Sequence, residues 1–291
     1  MRNTFINKLR DLAKENKKIF LIVGDLGFNV VEEFAEEFPD RFLNIGVAEQ
    51  NMVGVASGLA SEGFHVFIYS IANFPTFRCA EQIRNDIDYH KLPITIVCVG
   101  GGVAYGNLGY SHHAIQDYGL IRMFSNFKIA APADPYQVNG VLEYLTANPQ
   151  PSYLRLGKNN ENNYTKKNQK ITAGRWYGIE GNQGNDEIFL STGTSLQWLK
   201  TKKTLIKDKD IYTLPIWGMK EKLSQNEYAK KYNIITSVED HIYDCGFGSW
   251  LKESLSFEKT NHSLKNIALP STIKYNVASQ ESIMNKMRLH N

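Results

Sequence analysis

Short apolar runs recur along this chain, each followed by a stretch with helical periodicity: IFLIVGD from Ile19, FLNIG from Phe42, HVFIYS from His65, ITIVCVG from Ile94, FKIAAPAD from Phe127 and PSYLRLG from Pro151. Runs that stay apolar on consecutive positions, instead of alternating, are buried on both faces. Alternation with helices then predicts a parallel sheet wound on both sides. The first unit is expected to span residues 1 to about 158. Polarity rises sharply after it, with NNENNYTKKNQK from Asn159, and a linker is predicted over 159–183. A second, smaller α/β unit is predicted over 184–291, from the runs EIFLSTG, DIYTLPIW, IITSVED and NIALP. No internal repeat is visible.

In open parallel sheets, ligands sit beyond the carboxyl ends of the strands. The chemically capable residues gather at such ends. Asp25 follows the first run, Glu49 the second and Phe74 the third; a glycine-rich loop with Gly106, Gly109 and His112 follows the fourth, and Arg155 lies within the last. Glu49 leads into Gly54, Ala56, Gly58 and Ala60, a helix face of small residues that lets another backbone come close. A single acid at such a junction either pairs with a helix end or takes part in chemistry.

The string IGVAEQNMVG, from Ile45 to Gly54, resembles the pyrimidine-binding module of the transketolase family. Three further matches follow in order: EQIRND at Glu81 to Asp86, GNLGYSH at Gly106 to His112 and SYLRLG at Ser152 to Gly157. Residues 184–291, with SVEDHIYDCGFGSW from Ser237, resemble the carboxyl-terminal domain of the same family. The implied architecture is α/β, a parallel-sheet pyrimidine-binding domain followed by a smaller transketolase C-terminal-like domain.

The resemblance implies thiamine diphosphate as cofactor. That cofactor is activated when a carboxylate hydrogen-bonds its pyrimidine nitrogen, and Glu49 matches this position. Phe74 matches the aromatic stacking on the pyrimidine, with Phe77 second, and Asp25 matches an acid near the thiazolium edge. His112 matches a histidine beside the reacting substrate; its neighbour His113 reads as structural. Arg155 matches an arginine that grips a substrate phosphate, and Arg2 matches another near the first helix. No GDG string occurs, so magnesium and the diphosphate are expected on a partner subunit carrying that motif. The expected assembly is a homodimer of this chain and a heterotetramer with the partner.

The activity implied is transfer of a two-carbon ketol unit between sugars or sugar phosphates. The alternatives are a deoxyxylulose phosphate synthase-like subunit, a 2-oxo acid dehydrogenase beta-like subunit and a non-catalytic assembly subunit. Where sugar-phosphate transketolases carry another histidine and an acid before His112, this chain has Gly100 to Gly102 and Leu108; Gln116 and Asp117 replace the acidic pair after it. These departures bear on which sugars are handled.

Composition adds exclusions. A net charge of +3 over 291 residues, with lysines scattered among acids, gives no footprint for nucleic acid. Cys79, Cys98 and Cys245 show no ligand spacing, so neither a metal site nor a disulfide framework is expected. The first twenty residues read as an amphipathic helix without a signal-peptide core, and no membrane segment is apparent, so a cytoplasmic location is expected.

Overall fold

The computed structural model describes residues 1–180, 184–257 and 262–290. Its strands are β1 (Ile19–Val23), β2 (Phe42–Asn44), β3 (His65–Ile71), β4 (Ile94–Val99), β5 (Lys128–Ala130), β6 (Ser152–Leu156), β7 (Tyr177–Glu180), β8 (Glu187–Ser191), β9 (Asp210–Thr213), β10 (Ile216–Gly218), β11 (Ile234–Ile242), β12 (Ser263–Leu269) and β13 (Arg288–His290). They form two sheets, ordered β10-β5-β6-β4-β3-β1-β2 and β13-β12-β11-β8-β9-β7. The α/β expectation is met. The first sheet is parallel apart from β10, and the second is parallel apart from its edge strands β7 and β13.

The continuous apolar runs are explained by burial on both faces. Leu21, Val23, Phe67 and Tyr69 point into one layer, against Phe5 and Leu9 of helix Arg2–Glu15 and Val138 and Leu142 of helix Pro135–Ala147. Their alternates Ile22, Val66 and Ile68 point into the other, against Met52, Val53 and Ala56 of helix Glu49–Ser61. Asp134 starts helix Pro135–Ala147 with its carboxylate on the Gln137 amide, and Pro135 occupies the first turn, where no amide is needed.

Two departures from the expected boundaries matter for the site. DIYTLPIW is two strands in two sheets: β9 stays in the second, and after Leu214 and Pro215 the chain crosses so that β10 pairs antiparallel with β5 of the first. Proline interrupts the ladder, which permits the change of sheet. The predicted linker over 159–183 holds β7, which pairs with β9; its expected end at Gln183 lies outside the described residues. The earlier part of that polar stretch is tied down by the Asp134 carboxylate, which accepts from the amides of Tyr164 and Thr165 at 2.7 and 2.6 Å. Asparagine-rich text conceals this order because the anchor lies about thirty residues away in sequence. Among the described residues no helix is long and apolar enough to cross a membrane.

Candidate active site

The turn after β2 sets the position of Glu49. Asn44 receives the amides of Asp25 and Gly46 on its side-chain oxygen, and Gly46 takes a φ of +77°, which glycine adopts without steric cost. Glu49 is thereby the first residue of its helix and is only 5% exposed. The Glu49 carboxylate accepts a hydrogen bond from Arg78 Nη1 at 2.9 Å.

After β3 the chain turns into the short helix Phe74–Phe77. Asn73 donates to the carbonyls of Ser111 and His113 at 3.2 and 2.8 Å, which ties this turn to the loop carrying His112. The Phe74 ring meets the His112 ring edge-on with centroids 5.3 Å apart, and the Arg78 guanidinium lies over the Phe74 ring, 4.4 Å from its centroid. Ser111 Oγ engages His112 Nδ1 at 3.0 Å, and Tyr105 also packs edge-on against the His112 ring. Phe77 is exposed beside them. A cleft of about 510 Å³ opens here, lined by Phe74, Phe77, Arg78, Tyr110, His113 and Gln116 among others.

Glu49, Phe74, Phe77 and His112 thus come together. Asp25 is exposed at the end of β1 with φ +56°, its carboxylate accepting from Asn44 Nδ2 at 3.1 Å. Arg2 lines a separate cavity of about 190 Å³ at the ends of β1, β3 and β4, beside Tyr69 and Tyr105, and its buried Nε has no hydrogen-bond partner.

Arg155 is not brought to the cleft. It is 3% exposed, and all its N–H groups are taken: Nε by Asp117 at 2.7 Å, Nη1 by Asp240 at 2.6 Å and by the Tyr118 hydroxyl, and Nη2 by the carbonyls of Ala114 and Asp240. Burial alone would lower its pKa, but the Asp117 and Asp240 carboxylates outweigh that and hold the guanidinium well above its ordinary value. This placement corrects the expected phosphate grip, because a saturated, buried guanidinium has no donor left for a substrate. The same contacts account for two of the three glycines after β4, the first, Gly100, being crowded by Tyr105 instead. A β-carbon at Gly101 would lie 2.6 Å from Arg155, and one at Gly102, whose φ is +64°, would lie 2.5 Å from the Asp240 carboxylate.

One residue read as structural takes on another aspect. His113 is buried at the floor of the cleft and neither ring nitrogen has a hydrogen-bond partner. Burial holds its pKa below the ordinary value and the neighbouring His112 lowers it further, while the nearby Gly106 carbonyl acts in the opposite sense. The Ser-His-His string is the sequence signal, but a histidine doublet does not reveal which ring has partners.

The chemistry of this cleft can be tested against a pyrimidine. A single planar group, the Arg78 guanidinium, contacts the Phe74 ring and donates to Glu49 at once, so a flat nitrogen heterocycle has its wall and its carboxylate within reach of one another. The residues fit the group. Among the described residues no cluster of three or more His, Cys, Asp or Glu side chains could hold a metal ion.

A parallel sheet with an acid after β2 and an aromatic after β3, the two strands that flank β1, fits a pyrimidine-binding module, and residues 1–163 match the family model described as transketolase, pyrimidine binding domain. The chain belongs to the transketolase family and is a transketolase-like subunit of the split type, a transferase. It is 30% identical over 271 residues to the putative transketolase C-terminal section of Methanocaldococcus jannaschii, covering 92% of this chain and 86% of that one. It is also 30% identical over 261 residues to an apulose-4-phosphate transketolase subunit of Phocaeicola vulgatus, covering 88% of this chain and 83% of that one. Among solved structures, one described as split gene transketolase, inactive beta4 tetramer, superposes with a TM-score of 0.86 at 27% identity, over 98% of this chain and 92% of the other. Family membership implies dependence on thiamine diphosphate, and the split type implies a partner subunit and an oligomer.

Proposed function

We propose that this chain supplies the pyrimidine-binding half of a ketol-transfer site, moving a two-carbon unit between sugar or sugar phosphate substrates. The other half is a partner subunit carrying the GDG motif, which holds magnesium and the cofactor's diphosphate in the cytoplasm of the cell. The observation that carries the reading is the convergence of Glu49 and Phe74 on one planar group.

Thiamine diphosphate, when bound, supplies the acidic ring carbon and the electron sink needed to break a carbon–carbon bond beside a carbonyl. Glu49 holds a proton at the pyrimidine nitrogen, and its burial at a helix start keeps water from competing for that bond. Phe74 is the flat apolar wall, with Phe77 at its exposed rim. His112, oriented through Nδ1 by Ser111, keeps Nε2 for a substrate oxygen. Arg2, with its unpartnered Nε, faces the anionic end of the substrate, and Asp25 lies toward the thiazolium side.

The assembly proposed is a homodimer of this chain alone and a heterotetramer with the partner. Support comes from the open glycine face of helix Glu49–Ser61, where β-carbons at Gly54 and Gly58 would meet nothing within 4 Å. The similar split transketolase forms a beta4 tetramer that is inactive, as expected of a subunit lacking half its site.

The test is reconstitution with the partner subunit, thiamine diphosphate and magnesium, followed by product analysis with a ketose donor and an aldose acceptor. Two-carbon transfer that falls by about a hundredfold or more in Glu49→Gln supports the reading. Transfer at the wild-type rate in that variant, or no transfer in the wild-type complex with any such pair, overturns it.

A further inference from the structure

Arg78 has no part in the proposed chemistry, yet it touches both groups on which that chemistry rests. Its guanidinium lies 4.4 Å over the Phe74 ring and donates to Glu49 at 2.9 Å. A guanidinium is planar, delocalised and carries its donors in its own plane, so it offers an aromatic face and a carboxylate what an aminopyrimidine protonated on its ring nitrogen offers them. Two groups cannot stack on one face of Phe74 while also satisfying the same carboxylate oxygen. The side chain of Arg78 is 51% exposed whereas that of Glu49 is 5% exposed, so Arg78 reaches from solvent into the site and can return to solvent without unpacking the core. Its backbone is tied to the helix that Glu49 begins, because the Arg78 carbonyl accepts from Nε2 of Gln50, the residue after Glu49, at 3.0 Å.

We infer that Arg78 is a placeholder for the cofactor's pyrimidine: it satisfies Glu49 and covers Phe74 in the free protein, and it leaves both when the pyrimidine binds. The inference rests on the reading of Glu49 and Phe74 as the pyrimidine site. Without the guanidinium, the free protein would bury a carboxylate with no cationic partner and expose an aromatic face. With it, part of the cofactor's binding energy goes into displacement, and apparent affinity falls by the fraction of molecules in which the site is open.

Calorimetric titration of the reconstituted two-subunit complex with thiamine diphosphate and magnesium tests this, comparing wild type with Arg78→Met and Arg78→Lys. Arg78→Met is expected to bind about three- to tenfold more tightly, as a closed fraction of that order is removed. Arg78→Lys keeps the charge without the flat face, so its affinity should fall between the two, and it serves if the methionine variant does not fold. Crystal structures without and with the cofactor should show the guanidinium on Glu49 and then away from it. Weaker or unchanged binding by Arg78→Met, or a loaded complex in which Arg78 remains on both residues, overturns the placeholder role. Failure of the underlying reading has a different signature: the wild-type complex takes up no cofactor, or Glu49→Gln binds it with unchanged affinity and turnover.

Discussion

Arg155 on β6 and Asp240 on β11 meet at 2.6 Å in the interior, joining a strand of the first sheet to a strand of the second. Asp117 closes the network from the loop side, accepting from Arg155 Nε and from the Tyr153 hydroxyl at 2.7 and 2.6 Å, and Thr194 donates to the other Asp240 oxygen at 2.7 Å. Tyr118 covers the guanidinium face at 4.4 Å. Both carboxylates are paired with the one guanidinium, which offsets much of the cost of burying them, although the second Asp117 oxygen, Oδ1, is buried without a hydrogen-bond partner. The loop from Gly100 to His112 begins against this cluster, so the two domains and the substrate side of the cleft share one anchor.

Removing Arg155 strands two carboxylates in the interior. Arg155→Met is therefore expected to lower stability by about 3–5 kcal/mol, the usual cost of breaking a buried pair from one side. Urea unfolding followed by circular dichroism measures it. If Arg155 instead gripped substrate, the variant would keep its unfolding midpoint and lose only apparent substrate affinity.

Phe74 and Phe77 are close in sequence and differ in surroundings. Phe74 is half-buried, with His112 against its edge and Arg78 on its face, whereas Phe77 is 46% exposed. Loss of the stacking wall in Phe74→Ala should weaken thiamine diphosphate binding by about 0.5–1.5 kcal/mol beyond the lost burial. Phe77→Ala should change it less. Titration of the two variants in the reconstituted complex gives the order, and a larger effect at Phe77 would reverse the assignment.

The parallel sheets are legible in the sequence because doubly buried strands read as unbroken apolar text, and Glu49, Phe74 and His112 are legible because each follows a strand end. Arg155 misleads for a physical reason. SYLRLG places an arginine on the last strand of the domain but carries no trace of Asp117 or Asp240, which lie 38 and 85 residues away and absorb its charge. The glycines at 100 to 102 read as bearing on sugar recognition, and the structure adds a packing reason for them: Gly101 and Gly102 make room for that same pair and Gly100 for the Tyr105 ring. The β10 crossover is hidden because an apolar run does not specify which of two sheets it will join. Arg78 gives no signal in the sequence because its two contacts exist only once the segments after β2 and β3 meet across the end of β1.

The exposed face of helix Glu49–Ser61 separates folding from association. Gly54 and Gly58 point away from the core residues Met52, Val53 and Ala56, and a β-carbon at either would meet nothing within 4 Å in this chain. Gly54→Leu and Gly58→Leu should keep or raise the melting temperature of the free chain, since replacing glycine in a helix interior gains roughly 0.5–1 kcal/mol. Light scattering after size exclusion should show weaker self-association or weaker partner binding. A variant that melts normally and assembles like wild type would remove this face from the interface.

Acid sensitivity of the fold should trace to His65, the first residue of β3. Its ring is buried against Phe67, with Nε2 at 2.9 Å from Thr95 Oγ1 and Nδ1 without a partner. Burial pushes its pKa from the ordinary 6.5 down to about 4. Between those values the unfolded chain takes up the proton and the folded protein does not, so stability is complete above about pH 6.5 and declines as pH falls toward 4. The loss attributable to this ring reaches about 2 kcal/mol at pH 5 by linkage. His113 acts in the same sense and the buried Glu239, whose pKa burial raises, acts in the opposite one, so the total slope mixes several groups. Comparing wild type with His65→Gln isolates this contribution, since glutamine can still reach Thr95 but binds no proton. Unfolding free energies from urea titrations at about pH 7.5 and pH 5 should fall about 2 kcal/mol less in the variant than in wild type. An equal fall in both would mean that the His65 ring is protonated in the fold near its ordinary pH, and hence that its Nδ1 finds a partner when charged.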